Sequence, residues 1–377
     1  MSDDDVLTGT PCVEDILLDL PGGQLALRLH VDDAALAEPL RVRWEQLLAP
    51  DTAASETVEI LEIPRQLGAT VGAAGPDQEL RLRQATYTVS GLVTRRLLAR
   101  LVGDEILLHS GAVDHDRLGR VLLIGPSGAG KSTAVTRLAQ DGKYLSDELA
   151  ILAPSDGAIT GYPKPVSRAN REPGKQDIPL DDLGLDPALQ AGPPQLVVLL
   201  ARRRDEPGPA HAIRIPLLDA LPRIAAESSS LWLLDDPLGS LAHVLDRVGG
   251  ALEVTYSEAA DLEAALAAAP DPVHETWETL DPIPALRESR PGEQTVSEYA
   301  QAIAGADGLV ILQKNRTVRL TGITALAWEL LRAEGPMDAG TLESALVREI
   351  GADPRAAEVT TDALARLGEM DVITRRA

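Results

Sequence analysis

Phenylalanine is absent from this chain, and aromatic residues together make up 2% of it. The cores of a 377-residue protein must then be built from Leu, Val, Ile and Ala. Cysteine occurs once, at Cys12, which excludes an internal disulfide and a cysteine-based metal cluster. No run approaches the roughly 18 apolar residues that span a membrane. The acidic start MSDDDVLTG lacks the apolar centre of a signal peptide, so a cytoplasmic location is the expectation. Positive charge is scarce: 35 Lys and Arg face 58 Asp and Glu, a formal net charge of -23. So negative a surface repels phosphodiester backbones, which makes nucleic acid a poor partner.

What is present divides the chain into four stretches. Residues 1–104 alternate short apolar runs with turns and read as an α+β lobe. Within them LLDLPGGQLALRLHV is a hairpin around Pro21-Gly22-Gly23, VEILEIP and ATYTV are strands, and LVTRRLLARL is a helix. Residues 105–269 read as one α/β unit, with strands at ILLHSGAV, RVLLIG, YLSDELAIL, QLVVLLA and LEVTYS. Residues 270–291 hold five prolines and read as a semi-rigid linker. Residues 292–377 read as a hairpin turning at Lys314-Asn315, three amphipathic helices and a closing strand at VIT, a winged-helix-like plan.

The chemistry starts at GPSGAGKST, Gly125 to Thr133, which matches the phosphate-binding loop pattern in full. Gly125, Ser127, Gly128, Ala129 and Gly130 let successive backbone N–H groups converge on phosphate oxygens. The helix that follows adds its positive end, and Thr133 lies in its first turn. Lys131 suits the β and γ phosphates, and Ser132 suits Mg²⁺. ATP and Mg²⁺ are the expected cofactors.

A metal needs carboxylates, and Asp147-Glu148 in YLSDELAIL are the nearest in sequence. One acid could hold Mg²⁺ with Ser132 while the other, by preference Asp147, deprotonates or orients an acceptor hydroxyl. Adjacent strand residues face opposite ways, so both can serve only where the strand ends or bends. A solvated, inert acidic pair is the alternative. His109, at the end of a strand shortly before the loop, is either a structural group or a site residue. PKPVSRANREPGK carries Lys164, Arg168, Arg171 and Lys175, a basic loop that clamps a phosphate or an acidic peptide, or is merely solvated. Asp235-Asp236 in LWLLDDP precede a proline and read as a loop without a catalytic role.

LLHSGAV, RVLLIGPSGAGKST and YLSDELAIL together resemble the catalytic domain of the HPr kinase/phosphorylase superfamily. That resemblance implies a serine/threonine kinase using Mg²⁺ and a nucleotide, with His109 near the reacting centre. It implies that Asp147 and Glu148 share metal binding and proton abstraction, and that Lys164 and Arg168 lie in substrate-contacting loops. The segment from GLVILQKNRTVRL through LTGITALAWELL to MDVITR resembles the PqqD-like element that reads leader peptides of ribosomally made, modified peptides. That likeness implies a leader peptide added as a strand near Thr317 to Leu320 and packed on the helix from about Arg355 to Leu367. From Glu293 to Arg376 there are 9 Lys and Arg against 13 Asp and Glu, which favours peptide over DNA. The joint expectation is a kinase for a Ser or Thr of a precursor peptide. The rivals are a small-molecule kinase with a C-terminal cap and a nucleotide-dependent regulator without transfer. Homo-oligomer formation is open.

Overall fold

The structure is a computed structural model that describes residues 14–30, 34–50, 58–63, 67, 77–169, 175–204, 206, 208–283 and 288–376. Cys12 and Arg171 lie outside the described residues.

Its centre is a six-stranded sheet in the order His211–Ile215, Ala251–Tyr256, Leu196–Arg202, Gly119–Ile124, Ser110–His115 and Gly142–Ser146. Leu196–Arg202 pairs parallel with both Gly119–Ile124 and Ala251–Tyr256. Ser110–His115 runs antiparallel between Gly119–Ile124 and Gly142–Ser146. Four strands therefore point the same way, and their carboxyl ends, at Ile124, Ser146, Arg202 and Tyr256, share one edge of the sheet. The runs VLLI and VVLL are apolar throughout because both faces are covered. A mixed α/β architecture follows directly.

Two of the expected strands are divided between sheets. ILLHSGAV breaks at His109: Ile106–Leu108 belongs to a second, four-stranded sheet, and Ser110–His115 to the first. YLSDELAIL breaks likewise, with Gly142–Ser146 in the six-stranded sheet and Ala150–Leu152 in the other. The breaks fall on His109 and on Asp147-Glu148.

At the N-terminus, Glu14–Leu20 and Gly23–Leu29 form the hairpin expected around Pro21-Gly22-Gly23, and Glu59–Glu62 adds parallel to the second strand. ATYTV, read as a strand, instead lies inside a 24-residue helix, Gln78–Leu101. Helical spacing wins because Ala85, Val89, Val93, Leu97 and Leu101 fall on one face and are buried. They share a core with Leu107, Leu149, Ile151 and Tyr162.

The chain after residue 270 builds an antiparallel sheet in the order Trp277–Leu280, Gln301–Gly305, Gly308–Gln313 and Arg316–Thr321. Its first strand comes from within the Pro-rich stretch. The Gly308–Thr321 hairpin turns at Lys314-Asn315, with Lys314 at φ 49°. Helices Gly322–Glu334, Ala339–Ile350 and Ala356–Glu369 follow, and Ile373–Arg375 closes the unit by pairing with Gln294–Val296.

This sheet is buried on both faces. Ala302, Ala304, Leu309 and Ile311 pack on its own helices. Ile303, Val310 and Leu312 join the core formed by helices Leu217–Ala225 and Pro237–Arg247 under the six-stranded sheet. Gln301 Nε2 donates to Asp236 Oδ1 at 2.7 Å, and its Oε1 accepts from the backbone of Leu238 at 2.8 Å. Asp236 thus opens a helix and meets the C-terminal sheet. Among the described residues, no helix is long and apolar enough to cross a membrane.

Candidate functional site

Gly119–Ile124 delivers the chain into the phosphate loop at the sheet edge where the four carboxyl ends gather, the usual ligand position of an open α/β sheet. Gly128 (φ 86°) and Gly130 (φ 92°) adopt left-handed backbone. A Cβ on Gly125 would sit 3.1 Å from Ala129 Cβ and 3.2 Å from the Leu200 carbonyl. One on Gly130 would sit 2.6 Å from the Tyr256 hydroxyl, which donates to the Ala129 carbonyl at 2.6 Å. Helix Lys131–Leu138 then begins at Lys131, with Ser132 half-buried and Thr133 exposed in its first turn. Ser127 is exposed at the tip of the loop, and Ala129 is buried.

Lys131 is buried, and its ammonium donates to the Gly125 carbonyl at 2.5 Å. Burial pushes that ammonium below the ordinary lysine range. Glu227, Glu148 and Asp147 pull it back, while Lys175 adds to the depression. Both acids past the loop's helix therefore act on Lys131 electrostatically.

The strand break explains how Asp147 and Glu148 reach one place: the chain leaves the sheet after Ser146, so alternation no longer separates them. Asp147 is buried and accepts from the Tyr144 hydroxyl at 2.8 Å. Glu148 is half-exposed. Between them lies Lys164, completely buried, with its Nζ 2.9 Å from Glu148 and 3.7 Å from Asp147. Burial opposes the Lys164 charge, but Asp147, Glu148 and Asp177 hold its ammonium above the usual lysine range. Burial would likewise raise the Glu148 carboxyl, yet Lys164, Lys175 and His109 hold it below the usual range. Lys164 is thus a buried counter-ion of the acids rather than part of a solvated loop.

His109 occupies the other break. Its backbone N–H donates to the Glu227 carbonyl at 2.7 Å, and Nδ1 lies 3.2 Å from Glu227 Oε2. Arg168 is exposed on the ribbon formed by Val166–Ala169 and Lys175–Ile178. Lys164 ties Asp147 and Glu148 together, Lys131 and His109 act on this group through charge, and Arg168 is exposed outside it.

Several neighbours escaped the sequence reading. Arg204 donates to the Gly128 carbonyl at 3.0 Å, and Arg202 flanks Gly130. Both follow the apolar run LVVLLA, where the end of a parallel strand was itself a signal. Burial raises the Tyr256 hydroxyl, and Arg202 and Arg204 partly offset it. Glu227 carries no local motif. Lys175, by contrast, belongs to the basic loop already named from the sequence, and rests over the Tyr87 ring, 5.9 Å from its centroid. Ser90 and Thr94, on the long N-terminal helix, bond Asp177 (2.5 Å) and Tyr162 (3.1 Å).

The donor set suits the expected ligands. Ser132, Asp147 and Glu148 offer hard oxygen ligands of the kind Mg²⁺ takes. The left-handed glycines, helix start and Lys131 form an anion cradle beside them.

No protein-family profile and no curated protein matches this chain. Among solved structures it is similar to the Hpr(Ser) kinase/phosphatase from Coxiella burnetii. The identity is 13%, over 43% of this chain and 93% of that one, with a TM-score of 0.26. An overlap that low assigns no fold; the α/β architecture rests on strand order and parallel pairing.

Proposed function

We propose that this chain is an ATP-dependent kinase that phosphorylates a Ser or Thr hydroxyl of a ribosomally made precursor peptide. The observation that carries the kinase reading is the convergence of Lys131, Asp147 and Glu148 where the loop strand and the broken strand both end. Phosphoryl transfer asks for positioning and charge more than covalent chemistry from the protein. The loop amides and Lys131 would hold the phosphates. Ser132 with one of the two acids would hold Mg²⁺, which when bound offsets charge on the transferring group. The second acid would receive the hydrogen bond of the acceptor hydroxyl and orient it. With Lys164 beside it, Glu148 is a weak base, so its contribution is orientation rather than early removal of the proton.

The peptide reading is supported by the last sheet and its helices. Arg316–Thr321 ends the sheet order, with no further strand beside it among the described residues. A cleft of about 230 Å³ opens between Ala339–Ile350 and Ala356–Glu369, lined in part by Ile323, Leu346, Ile350 and Val359. An extended peptide can add to a free strand edge and place apolar side chains in such a cleft. The unit would serve as a PqqD-like, winged-helix-type reader. Its sheet shares a core with helices Leu217–Ala225 and Pro237–Arg247, so it would present the acceptor from a packed surface rather than from a flexible tether.

Incubation with Mg-ATP and precursor peptides encoded beside the gene should add the mass of one phosphate. A Lys131→Met control should add none. Failure to modify any of these peptides, with nucleotide binding intact, refutes the peptide reading.

A further inference from the structure

We infer that Asp177 is a positioning residue through which the N-terminal helix sets the two site acids. This inference rests on the metal-binding half of the reading above. Asp177 is fully buried, on the strand Lys175–Ile178. Its Oδ2 accepts from the Ser90 hydroxyl at 2.5 Å, and its Oδ1 accepts from Ser167 at 2.7 Å. Ser167 in turn accepts from Lys164 Nζ at 3.3 Å, and Lys164 also donates to the Pro165 carbonyl at 3.1 Å. Lys164 then meets Glu148 and Asp147. The line from the long helix to the acids is therefore continuous: Ser90, Asp177, Ser167, Lys164, Glu148. Ser90, Asp177 and Lys164 are all shielded from solvent.

The charges explain what the line does. Asp147, Glu148 and Asp177 surround the single ammonium of Lys164. Arg43, from the N-terminal helix Ala34–Arg43, also feels Asp177, and its guanidinium is bonded to the Pro39 carbonyl. Asp177 acts on Lys164 through Ser167, and so fixes where the ammonium sits between Glu148 and Asp147. Neutralising Asp177 loosens that placement and removes one negative charge from the neighbourhood. Both effects weaken the hold on a cation.

The test measures metal, not turnover alone. Mn²⁺ binding to the full-length chain with a non-hydrolysable ATP analogue is followed by EPR, and analogue affinity is measured separately without metal. Asp177→Asn should weaken Mn²⁺ about tenfold, the scale of losing one unit charge near a partly buried site. Affinity for the metal-free analogue should stay unchanged. Ser90→Ala frees Asp177 to turn away and should weaken Mn²⁺ about threefold, and the double variant should be no worse than Asp177→Asn alone. A purely structural role would lower stability in both variants without this non-additive loss of metal. Wild-type Mn²⁺ affinity in Asp177→Asn, or full additivity in the double variant, overturns the inference. If Asp177→Asn does not fold, Ser90→Ala decides, and an unchanged Mn²⁺ affinity there overturns it. A wild type that binds Mn²⁺ and nucleotide yet phosphorylates no peptide removes the peptide reading and leaves this inference standing.

Discussion

Replacing Lys164 by methionine tests the charge arrangement at its centre. The ammonium is completely buried, 2.9 Å from Glu148 and 3.7 Å from Asp147. Methionine fills a similar volume but leaves the carboxylates around it without their cation. Removing one partner of a buried ion pair costs about 3–5 kcal/mol. For a protein of 377 residues that is about 4–6 °C in Tm. The pH dependence carries a sign. In the wild type, burial works against Glu148, but Lys164 with Lys175 and His109 outweighs it, so its carboxyl lies low. Its stabilising contribution is therefore present above the unfolded glutamate value and is lost as pH falls through the folded one. The raised Lys164 contributes below the unfolded lysine value and is lost only as pH climbs past the folded one. Without the ammonium, desolvation of Glu148 meets less opposition and moves it toward its protonated form. The variant's deficit is then largest at neutral pH and shrinks on acidification toward about pH 5. Calorimetric melts of both proteins from neutral to mildly acidic pH read this out. A Tm unchanged at neutral pH, or a deficit that grows on acidification, would refute the reasoning.

Gly130→Ala should weaken nucleotide binding, because it forces a Cβ into left-handed backbone 2.6 Å from the Tyr256 hydroxyl; the strain is about 1–3 kcal/mol. Adding Tyr256→Phe removes the clashing oxygen, so isothermal titration should show part of the affinity returning despite the lost bond to Ala129. Leu312→Ala should cost about 2–5 kcal/mol, since its side chain belongs to the core under the six-stranded sheet. Denaturant melts should show the six-stranded-sheet unit and the C-terminal unit losing stability together; an unfolding step confined to the C-terminal unit would contradict that shared core. Deleting residues 292–377 should yield an aggregating protein by light scattering rather than a kinase that merely ignores its peptide, because Leu217, Leu218 and Leu241 lose their cover.

Much of the architecture was legible. The loop pattern, the apolar strands on either side of it and the hairpin at Lys314-Asn315 announce themselves through local spacing. The long N-terminal helix was harder. Thr86, Tyr87, Thr88 and Val89 are residue types that favour strands, and only the five-member apolar row from Ala85 to Leu101 shows the helical period. Thr94 lay in the stretch read as a helix, but with ATYTV taken as a strand its place one turn after Ser90 went unseen. Asp147 and Glu148 could be picked out, but the break that brings them together depends on Ala150–Leu152 finding a different sheet, a tertiary choice. Glu227 and Asp177 reach the site from far along the chain and sit in no motif. The five prolines of residues 270–291 pointed to a spacer and hid Trp277–Leu280, whose pairing is with a strand more than twenty residues later.

A sheet that presents aliphatic side chains both to its own helices and to its neighbour is a poor cassette. Grafting a foreign recognition unit after residue 291 would have to reproduce Ile303, Val310 and Leu312 in register, together with Gln301 opposite Asp236. On the proposed reading, a change of target is then a matter of recolouring the outward strand and the helix cleft in place, while the inner row is kept as it stands.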